Sequence, residues 1–216
     1  MPDKSQAALL VNIPVTSFIQ NVASRTAAPG GGSVAAMAGS LGAGLGIMMT
    51  RLTIGRKKYK EHEDEMRSMQ KDLLPLRDKL KDLIDKDTFA FDQVMAAIKM
   101  PKDTQEQKKT REEAMLKANK NAALVPLEVM KHSVKTIEYL VEIAKKGNVN
   151  SISDAGVANL CLHTAFEGAK LNVLINTKNM EATDWKKQLI KEVEELSQNF
   201  SDRYSEISST VNSKLA

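Results

Sequence analysis

The uncharged stretch from Ala27 to Thr50 limits the folds open to this chain more than any other feature. It is long enough to cross a membrane, but it consists of Gly, Ala and Ser rather than Leu and Ile, and its first third contains Pro-Gly-Gly-Gly. A helix of that composition suits the inside of a tightly packed protein. We therefore expect a buried helix here and no membrane span.

Small residues within this stretch favour close helix packing. Ser33 is a suitable N-cap for the helix, and Gly55 lies where it should end. Small residues recur between them at four-residue spacing, which lets a second backbone approach closely. They are Gly39, Gly42, Ala43 and Gly46.

Helical periodicity continues along the chain, and its breaks fall mainly at proline and glycine. Pro14 opens a first helix. A long helical segment from about 59 to 100 contains Pro75, which we expect to kink or divide it. Thr104 and Gln107 form the pattern of a capping box at the start of the next segment.

Two further helical segments complete the pattern. One starts at Ser151 or Ser153 and reaches Asn176, and the last starts at Thr183. We find no alternating strand pattern bounded by a hairpin turn. The sequence therefore predicts an all-α bundle of six to eight helices.

Composition supports a single helical domain. Only 4% of the residues are aromatic, whereas Ala and Met are abundant, and this balance favours helices over strands. Cys161 is the only cysteine, which excludes an internal disulfide and a cysteine-based zinc motif. We expect one domain over residues 1–216, with 1–14 and about 205–216 frayed.

The charge balance excludes some partners. With 31 basic and 27 acidic residues the net charge is +4, which is too weak a bias to indicate nucleic-acid binding but suits a small polyanionic ligand. The N-terminal sequence lacks a basic segment followed by an apolar one. We therefore expect no signal peptide and a cytoplasmic protein.

The glycine-rich loop Pro29-Gly30-Gly31-Gly32-Ser33 enters the uncharged helix. Without side chains, Gly30, Gly31 and Gly32 leave backbone N–H groups open to a ligand, and a helix N-terminus favours anions. A tight turn that only lets two helices cross is an equally good interpretation. The loop is not a nucleotide P-loop, because no Gly-Lys-Ser/Thr follows it.

A basic turn of Arg56, Lys57 and Lys58 follows the far end of the same helix. Cations stabilise a helix C-terminus through its dipole, which is the simple structural interpretation. The alternative is that these three side chains bind carboxylates of a substrate.

Asp85 and Asp87 interrupt an otherwise apolar helical stripe. Because they are two residues apart, they point in different directions and do not form a paired-carboxylate site. One of them could face a crevice, where burial would raise its pKa and suit it to general acid/base chemistry. The alternative is that both are surface acids paired with lysines.

Three further polar residues fall at helix positions of interest. Asp154, after Ser153, fits a helix cap, and Asn172 and Asn176 place two amides on one face of an apolar helix. Buried amides need partners, so these either bridge helices or bind the polar edge of a heterocycle. The histidines have no partner at a catalytic spacing, and we find no metal-ligand cluster.

Together these motifs resemble the cyclodeaminase half of formiminotransferase-cyclodeaminase and its stand-alone bacterial relatives, which include methenyltetrahydrofolate cyclohydrolases. The matching segments occur in family order from about Phe18 to about Trp185. They are 27–36, Gly55-Arg56, 83–87 with Ala90-Phe91, Met100-Pro101-Lys102, Val125-Pro126-Leu127, Gly147-Asn148, Ser153-Asp154 and 172–176.

The resemblance implies an all-helical homodimer with a folate site near the subunit interface and no metal or redox cofactor. It implies a cyclodeaminase, in which N10 of 5-formiminotetrahydrofolate attacks the formimino carbon, ammonia leaves and 5,10-methenyltetrahydrofolate forms. The alternative on the same scaffold is a cyclohydrolase that opens the methenyl ring with water. A third hypothesis is a helical folate-binding or scaffold protein without chemistry.

The resemblance also assigns roles to residues. The catalytic aspartate of the family corresponds to Asp87, as the acid/base. Residue type and position make Asp154, Asn172 and Asn176 candidates to hold the pterin. They make the basic turn 56–58 a candidate for the carboxylates of one or more glutamates, with the glycine loop lining the cleft. Since no formiminotransferase domain is present in this sequence, a separate protein would supply the substrate.

Overall fold

The computed structural model describes residues 9–216 and confirms the all-α fold. Six α-helices make up most of the described part of the chain. In order they are α1 (Val15–Val22), α2 (Gly31–Thr53), α3 (Glu63–Ile98), α4 (Gln105–Lys146), α5 (Ile152–Thr177) and α6 (Asp184–Leu215). The described residues also include 3-10 turns at Leu10–Asn12, Lys57–His62 and Val149–Ser151.

Helices α2, α3, α4 and α5 form a four-helix bundle in which each helix packs against the next and α5 packs back against α2. Neighbours around the bundle run antiparallel. Helix α6 covers α4 and α5, and α1 lies over the edge between α2 and α3, where Phe18 is buried. The core is lined along its length by fully buried apolar side chains such as Leu80, Leu127 and Phe166.

Glycines of α2 bring its backbone close to α5, as the spacing of small residues predicted. A Cβ added at Gly42 would lie 3.0 Å from the backbone oxygen of Ala158 and 2.9 Å from Cγ of Leu162. A Cβ added at Gly39 would lie 3.2 Å from that of Ala165. Larger residues at these positions would push the two helices apart.

Helix α2 is also long and apolar enough to cross a membrane, with a mean hydropathy of 1.4 in its most apolar window. A core helix of a soluble protein passes the same test, and 56% of that window is buried inside the protein. Among residues 9–216, no other helix meets the criterion. Its packing between α3 and α5 agrees with the expected buried helix.

Side-chain caps define several helix starts. The predicted capping box is present, since Gln107 N donates to Oγ1 of Thr104 at 3.2 Å and Thr104 N donates to Oε1 of Gln107 at 3.1 Å. At the start of α6 the Thr183 hydroxyl accepts the backbone N–H of Lys186 at 3.4 Å, without the reciprocal bond of a capping box. The prediction that Ser33 caps α2 is wrong. Gly30 occupies the N-cap position, and Ser33 lies inside the helix because its hydroxyl bonds to α3 instead.

Pro75 does not divide α3, which runs as one helix from Glu63 to Ile98. A proline in a helix deprives the carbonyl four residues earlier, here Lys71, of its hydrogen-bond donor. Both residues are exposed, so water can satisfy that carbonyl. The buried side chain of Leu73 helps to hold the flanking turn in the core.

The two chain ends differ from the expected fraying where the structure describes them. Helix α6 continues to Leu215, because Ile207 and Val211 in its last turns are buried. At the other end, the predicted frayed segment falls partly on residues 1–8, which lie outside the described residues.

Candidate functional site

Asp87, on α3, lies beside the N-terminal end of α2. Its Oδ2 accepts a hydrogen bond from the Ser33 hydroxyl at 3.1 Å, and the same hydroxyl lies 2.9 Å from the backbone oxygen of Ile84. The carboxylate rests directly against the backbone of Gly32, where an added Cβ would lie 2.5 Å from Cγ of Asp87. The glycine loop therefore makes room for the acid.

Burial raises the pKa of Asp87 above its ordinary value of 3.8, and this effect outweighs the others. Hydrogen bonds from the hydroxyl and the backbone N–H of Ser33 oppose it. The positive end of the α2 dipole also favours the ionised form. The result is a half-buried carboxyl group whose raised pKa brings proton uptake and release closer to neutral pH.

Asp85, in contrast, has a structural role. Its Oδ1 accepts the backbone N–H of Leu10 at 2.6 Å and its Oδ2 that of Val11 at 3.4 Å, so it anchors the segment before α1. The two acids point in different directions, as their spacing predicted. The interpretation of both as surface acids paired with lysines is wrong, because Asp85 is buried and bonded to backbone.

Thr88 is a third polar residue beside Ser33 and Asp87, and no sequence motif points to it. The hydroxyl of Thr88 lies 3.3 Å from that of Ser33. Ile84, Asp87 and Thr88 contribute, at spacings of three and four, one face of α3 that meets Ser33. The spacing could have shown that these three residues share a helix face. It does not show that this face meets Ser33, which is known only from the packing of α2 on α3.

Helices α3 and α5 continue beyond the point where α2 begins. Helix α3 extends from Asp87 to Ile98, on the order of 16 Å. Helix α5 passes Asn172, which is opposite Gly31, and ends at Thr177. We take the space beyond the glycine loop, between these ends of α3, α4 and α5, as the candidate cleft.

The predicted loop residues differ in access to this cleft. Gly31 is exposed and Gly30 partly so, and their backbone groups are free of side chains. Gly32 is buried under Asp87, and Ser33 is fully buried. Gly30 and Gly31 can therefore meet a ligand directly, whereas Ser33 acts through Asp87.

Both predicted amides lie at the cleft end of α5. Asn172 lies 3.5 Å from the position of a Cβ added at Gly31, and its Nδ2 donates to the backbone oxygen of Gly168 at 2.8 Å. Asn176 Nδ2 donates to the backbone oxygen of Ala122 at 2.7 Å, so it bridges α5 and α4. Within the described residues neither Oδ1 has a hydrogen-bond donor, which leaves both oxygens available to a ligand.

The basic turn and Asp154 lie at the opposite end of the bundle. Arg56, Lys57 and Lys58 are exposed beyond the C-terminus of α2, which is about 34 Å long. Asp154 lies in the first turn of α5, which runs antiparallel to α2. Within one chain these four residues are therefore not brought together with Asp87.

Asn148 links the C-terminal ends of α2 and α4 at that far end of the bundle, and the sequence alone assigns it no role. Its backbone N–H donates to Oγ1 of Thr53 at 2.9 Å, and its Nδ2 donates to the backbone oxygen of Leu52 at 3.1 Å. The side chain thus satisfies a free carbonyl at the C-terminus of α2. Gly147-Asn148 marks this junction between α2 and α4.

A separate surface cavity of about 620 Å³ lies between α5 and α6. Apolar side chains line it, including Leu174 and Ile190, and Lys178 and Lys186 provide its positive charge. Asn172 also borders it, so this cavity adjoins the cleft. In residues 9–216 neither lysine forms an ion pair with a carboxylate.

Across residues 9–216, no three His, Cys, Asp or Glu side chains are grouped so that they could hold a metal ion. The prediction that the protein needs no metal or cofactor stays a prediction.

Comparison with known proteins finds matches over most of the chain. A family model described as formiminotransferase-cyclodeaminase matches residues 14–195. The methenyltetrahydrofolate cyclohydrolase of Methylorubrum extorquens is 37% identical over 204 residues, which cover 94% of this chain and 98% of that protein. The formimidoyltransferase-cyclodeaminase of Rattus norvegicus is 36% identical over 180 residues, 83% of this chain but only 33% of the longer rat protein.

The fold is also similar to a solved structure. The crystal structure of formiminotetrahydrofolate cyclodeaminase from Thermotoga maritima superposes with a TM-score of 0.85 at 29% identity. The alignment covers 95% of this chain and 98% of that one.

Proposed function

The chain belongs to the formiminotransferase-cyclodeaminase family, and from this premise we propose that it is a formimidoyltetrahydrofolate cyclodeaminase with Asp87 as its general acid/base. That it is an enzyme of folate one-carbon metabolism follows from the family. The observation that carries the finer proposal is the half-buried carboxyl group of Asp87, held against the glycine loop at the floor of a cleft.

The reaction is an intramolecular attack that needs one proton to move. N10 of 5-formiminotetrahydrofolate adds to the carbon of the formimino group, whose nitrogen is protonated, and ionised Asp87 takes the proton that N10 then carries. The same carboxyl group gives this proton to the formimino nitrogen, the carbon–nitrogen bond breaks, and ammonia leaves. The product is the 5,10-methenyl cation. N10 and the formimino carbon are already in one molecule, so the protein contributes orientation and proton transfer.

The surroundings of Asp87 suit this double role. A carboxyl group of ordinary pKa would take the N10 proton poorly at neutral pH. Burial raises the pKa of Asp87, and the Ser33 hydrogen bonds limit the rise, so both the ionised and the protonated form are accessible during turnover.

The substrate is proposed to lie across the glycine loop. The backbone of Gly30 and Gly31 offers a flat surface, and the free Oδ1 atoms of Asn172 and Asn176 can accept hydrogen bonds from the amino and ring N–H groups of the pterin. Asp154 lies too far along α5 to act on the same pterin from within one chain.

A second candidate is methenyltetrahydrofolate cyclohydrolase. The full-length similarity to the Methylorubrum extorquens protein of that name favours it. Asp87 would then take a proton from the water that adds to the methenyl carbon and pass it to N5 as the bond between that carbon and N5 breaks. The remaining hydroxyl proton leaves to solvent as the carbonyl group of 10-formyltetrahydrofolate forms. A helical folate-binding protein without chemistry is the third candidate, and the half-buried acid held against the glycine loop argues against it.

The assembly is part of the proposal. We place the enzyme in the cytoplasm as a homodimer with the folate site near the subunit interface and without a metal or redox cofactor. A separate formiminotransferase would make the 5-formiminotetrahydrofolate. Folates that carry several glutamates are suitable substrates because of the excess of basic residues.

A pair of assays tests the proposal. Purified protein is given 5-formiminotetrahydrofolate, and both ammonia release and the methenyl absorbance are followed. It is then given 5,10-methenyltetrahydrofolate, and loss of that absorbance is followed. A cyclodeaminase produces ammonia and the methenyl product in equal amounts. Hydrolysis of methenyltetrahydrofolate without ammonia release in the first assay would overturn the leading assignment in favour of the cyclohydrolase.

A further inference from the structure

We propose that Thr88 is a positioning residue: its hydroxyl donates to the Ser33 oxygen and so leaves the single hydrogen of Ser33 to turn from Asp87 to the Ile84 carbonyl when Asp87 takes up a proton. The inference rests on the proposed function of Asp87 as acid/base. It adds a residue that acts through Ser33 and needs no contact with the substrate.

The Ser33 hydroxyl has one hydrogen and three oxygen neighbours. Its Oγ lies 2.9 Å from the backbone oxygen of Ile84, 3.1 Å from Oδ2 of Asp87 and 3.3 Å from the hydroxyl of Thr88. A hydroxyl group donates one hydrogen bond and accepts up to two. Ser33 therefore donates to one of these oxygens at a time, and because its side chain is fully buried, water does not reach its oxygen.

Thr88 differs from other helical threonines of this protein in the bond that its hydroxyl makes. Five of the others donate to the backbone oxygen four residues earlier in their own helix, namely Thr53, Thr110, Thr136, Thr177 and Thr210. For Thr88 that oxygen belongs to Ile84, which is the acceptor that Ser33 approaches from α2. Across residues 9–216 the Thr88 hydroxyl makes no bond to its own helix and contacts Ser33 instead.

The three distances also give the direction of the contact between the two hydroxyls. The carboxylate of Asp87 is a stronger acceptor than a hydroxyl oxygen, and both Asp87 and the Ile84 carbonyl lie closer to Ser33 than Thr88 does. The Ser33 hydrogen therefore goes to Asp87 or to Ile84. Thr88 is then the donor in its contact with Ser33.

The protonation state of Asp87 decides between the two acceptors. A hydrogen bond to a carboxylate is roughly twice as strong as one between neutral groups, so ionised Asp87 holds the Ser33 hydrogen. Once Asp87 has taken a proton from the substrate, the Ile84 carbonyl is the closer neutral acceptor, and the hydrogen turns to it. The O–H bond of Ser33 stays intact, and Thr88 donates to its oxygen in both states. Proton uptake thus exchanges one hydrogen bond for another and leaves no buried hydroxyl unpaired.

Other charged groups do not control Asp87. Burial raises its pKa, the bonds from Ser33 lower it, and no charged side chain adds to this balance. The segment 9–22 and α2 as far as Thr50 have no charged residue. Charged side chains on α3, α4 and α5 are bonded to backbone, exposed or paired with each other, as for Asp85, Lys86, Glu128 with Lys131, and Glu167 with Lys170.

The link from Thr88 to Asp87 is tested by titration of Asp87 in the protein without substrate. Carboxyl carbon-13 NMR of aspartate-labelled protein follows the titration, and the resonance that Asp87→Asn lacks identifies Asp87. Thr88→Val removes the donor to Ser33, which makes Ser33 a weaker donor to the carboxylate. We expect this variant to raise the pKa of Asp87, by less than Ser33→Ala does, and Thr88→Ser to restore the parent value. Thr88→Ala, which adds no bulk, should give the same shift as Thr88→Val.

A double variant shows whether Thr88 acts through Ser33. In the Ser33→Ala background, Thr88→Val should leave the pKa of Asp87 unchanged, because the hydroxyl that it positions is already absent. Thr210→Val is the control, since it removes a bond from threonine to its own helix on α6 and should leave the pKa of Asp87 at the parent value. No shift in Thr88→Val, or a shift as large without the Ser33 hydroxyl as with it, would overturn the proposal.

Turnover provides the second measurement. Thr88→Val should lower kcat for 5-formiminotetrahydrofolate roughly 2- to 10-fold, the effect of one hydrogen bond lost behind the acid, and leave KM unchanged. A changed KM with an intact kcat would place Thr88 in substrate binding and overturn its role through Ser33. If the parent protein does not turn over while the NMR titrations give the expected shifts, the proposed function fails, whereas the link from Thr88 through Ser33 to Asp87 stands.

Discussion

The carboxylate of Asp87 fills the space that a side chain on Gly32 would need. A Cβ added there would lie 2.5 Å from Cγ and 2.8 Å from Oδ2 of Asp87, distances that force one of the two groups to move. The glycine is therefore required by the neighbouring acid, and its own φ angle is not positive. The loop and the acid form one unit.

We expect Asp87→Asn to lower kcat by about 100- to 10,000-fold, the usual contribution of a general acid/base. The amide keeps the shape of the carboxyl group but cannot take the N10 proton. Asp92→Asn, on an exposed position of the same helix, is the control and should retain full turnover. Steady-state kinetics with 5-formiminotetrahydrofolate measures both, and normal turnover of Asp87→Asn would remove Asp87 from the mechanism.

The same variant should be more stable than the parent at neutral pH. Because burial raises the pKa of Asp87, the native state holds this proton more tightly than the unfolded state, and stability falls as pH rises from about 3.8 through the native pKa. Asparagine has no charge to bury. Thermal unfolding should give a higher Tm for Asp87→Asn at pH 7 and equal values below pH 3.8. A lower Tm at pH 7 would contradict the dominant role of burial.

Gly32→Ala should impair turnover as strongly as loss of the acid, because the new methyl group displaces the carboxylate. Gly44→Ala is the matched control in the same helix, since nothing lies within 4 Å of its added Cβ. Alanine should stabilise that position by about 0.5–1 kcal/mol and leave kcat unchanged. Kinetics and urea unfolding of the two variants separate the local effect from helix propensity.

Ser33→Ala should shift the pH dependence of turnover. Ser33 donates to Asp87 and lowers its pKa, so the variant raises that pKa further and moves the acid limb of the rate profile to higher pH. Ser40→Ala removes a similar bond from α2 to the Arg77 backbone oxygen and should leave the profile in place. Each variant should lose about 1 kcal/mol of stability. An unshifted limb in Ser33→Ala would separate Ser33 from the titration of Asp87.

Asn148→Ala should destabilise the protein by about 1–3 kcal/mol, because it leaves the Leu52 carbonyl without its donor. At saturating substrate kcat should be unchanged, since Asn148 lies at the end of the bundle away from Asp87. Asn150→Ala, two residues on, should cost less than about 0.5 kcal/mol. Urea unfolding and kinetics on the same samples test this division between stability and chemistry.

Much of this fold could be predicted from local patterns. The small residues of α2 indicated a close helix contact, and Thr104 with Gln107 indicated a helix start, because both signals depend on neighbours within the same few turns. The prediction of Ser33 as a helix cap is wrong because its hydrogen bond depends on a residue that is distant in sequence. Its hydroxyl bonds across to Ile84, and no local pattern reveals which distant carbonyl a buried serine will find.

The candidate site could be predicted only in part. The family motifs indicated Asp87, and the structure brings it to Gly32 of the glycine loop, whose neighbour Gly31 faces Asn172. The sequence places Arg56 at the far end of α2 from the glycine loop, but it could not tell which of these two ends Asp87 reaches, because the order of motifs along a chain does not show where separate helices meet. In an antiparallel bundle the two ends of one helix lie far apart, whereas residues distant in sequence on neighbouring helices come into contact.

The glycines of α2 have a consequence for insertions and deletions. Gly32 meets Asp87, and Gly39 and Gly42 meet α5, so one helix sets the register of both the acid and the core. One inserted residue between Gly32 and Gly39 would rotate one contact against the other by about 100° and shift it by about 1.5 Å. We therefore expect insertions and deletions between Gly32 and Gly42 to be poorly tolerated, whereas the loops between helices can change in length.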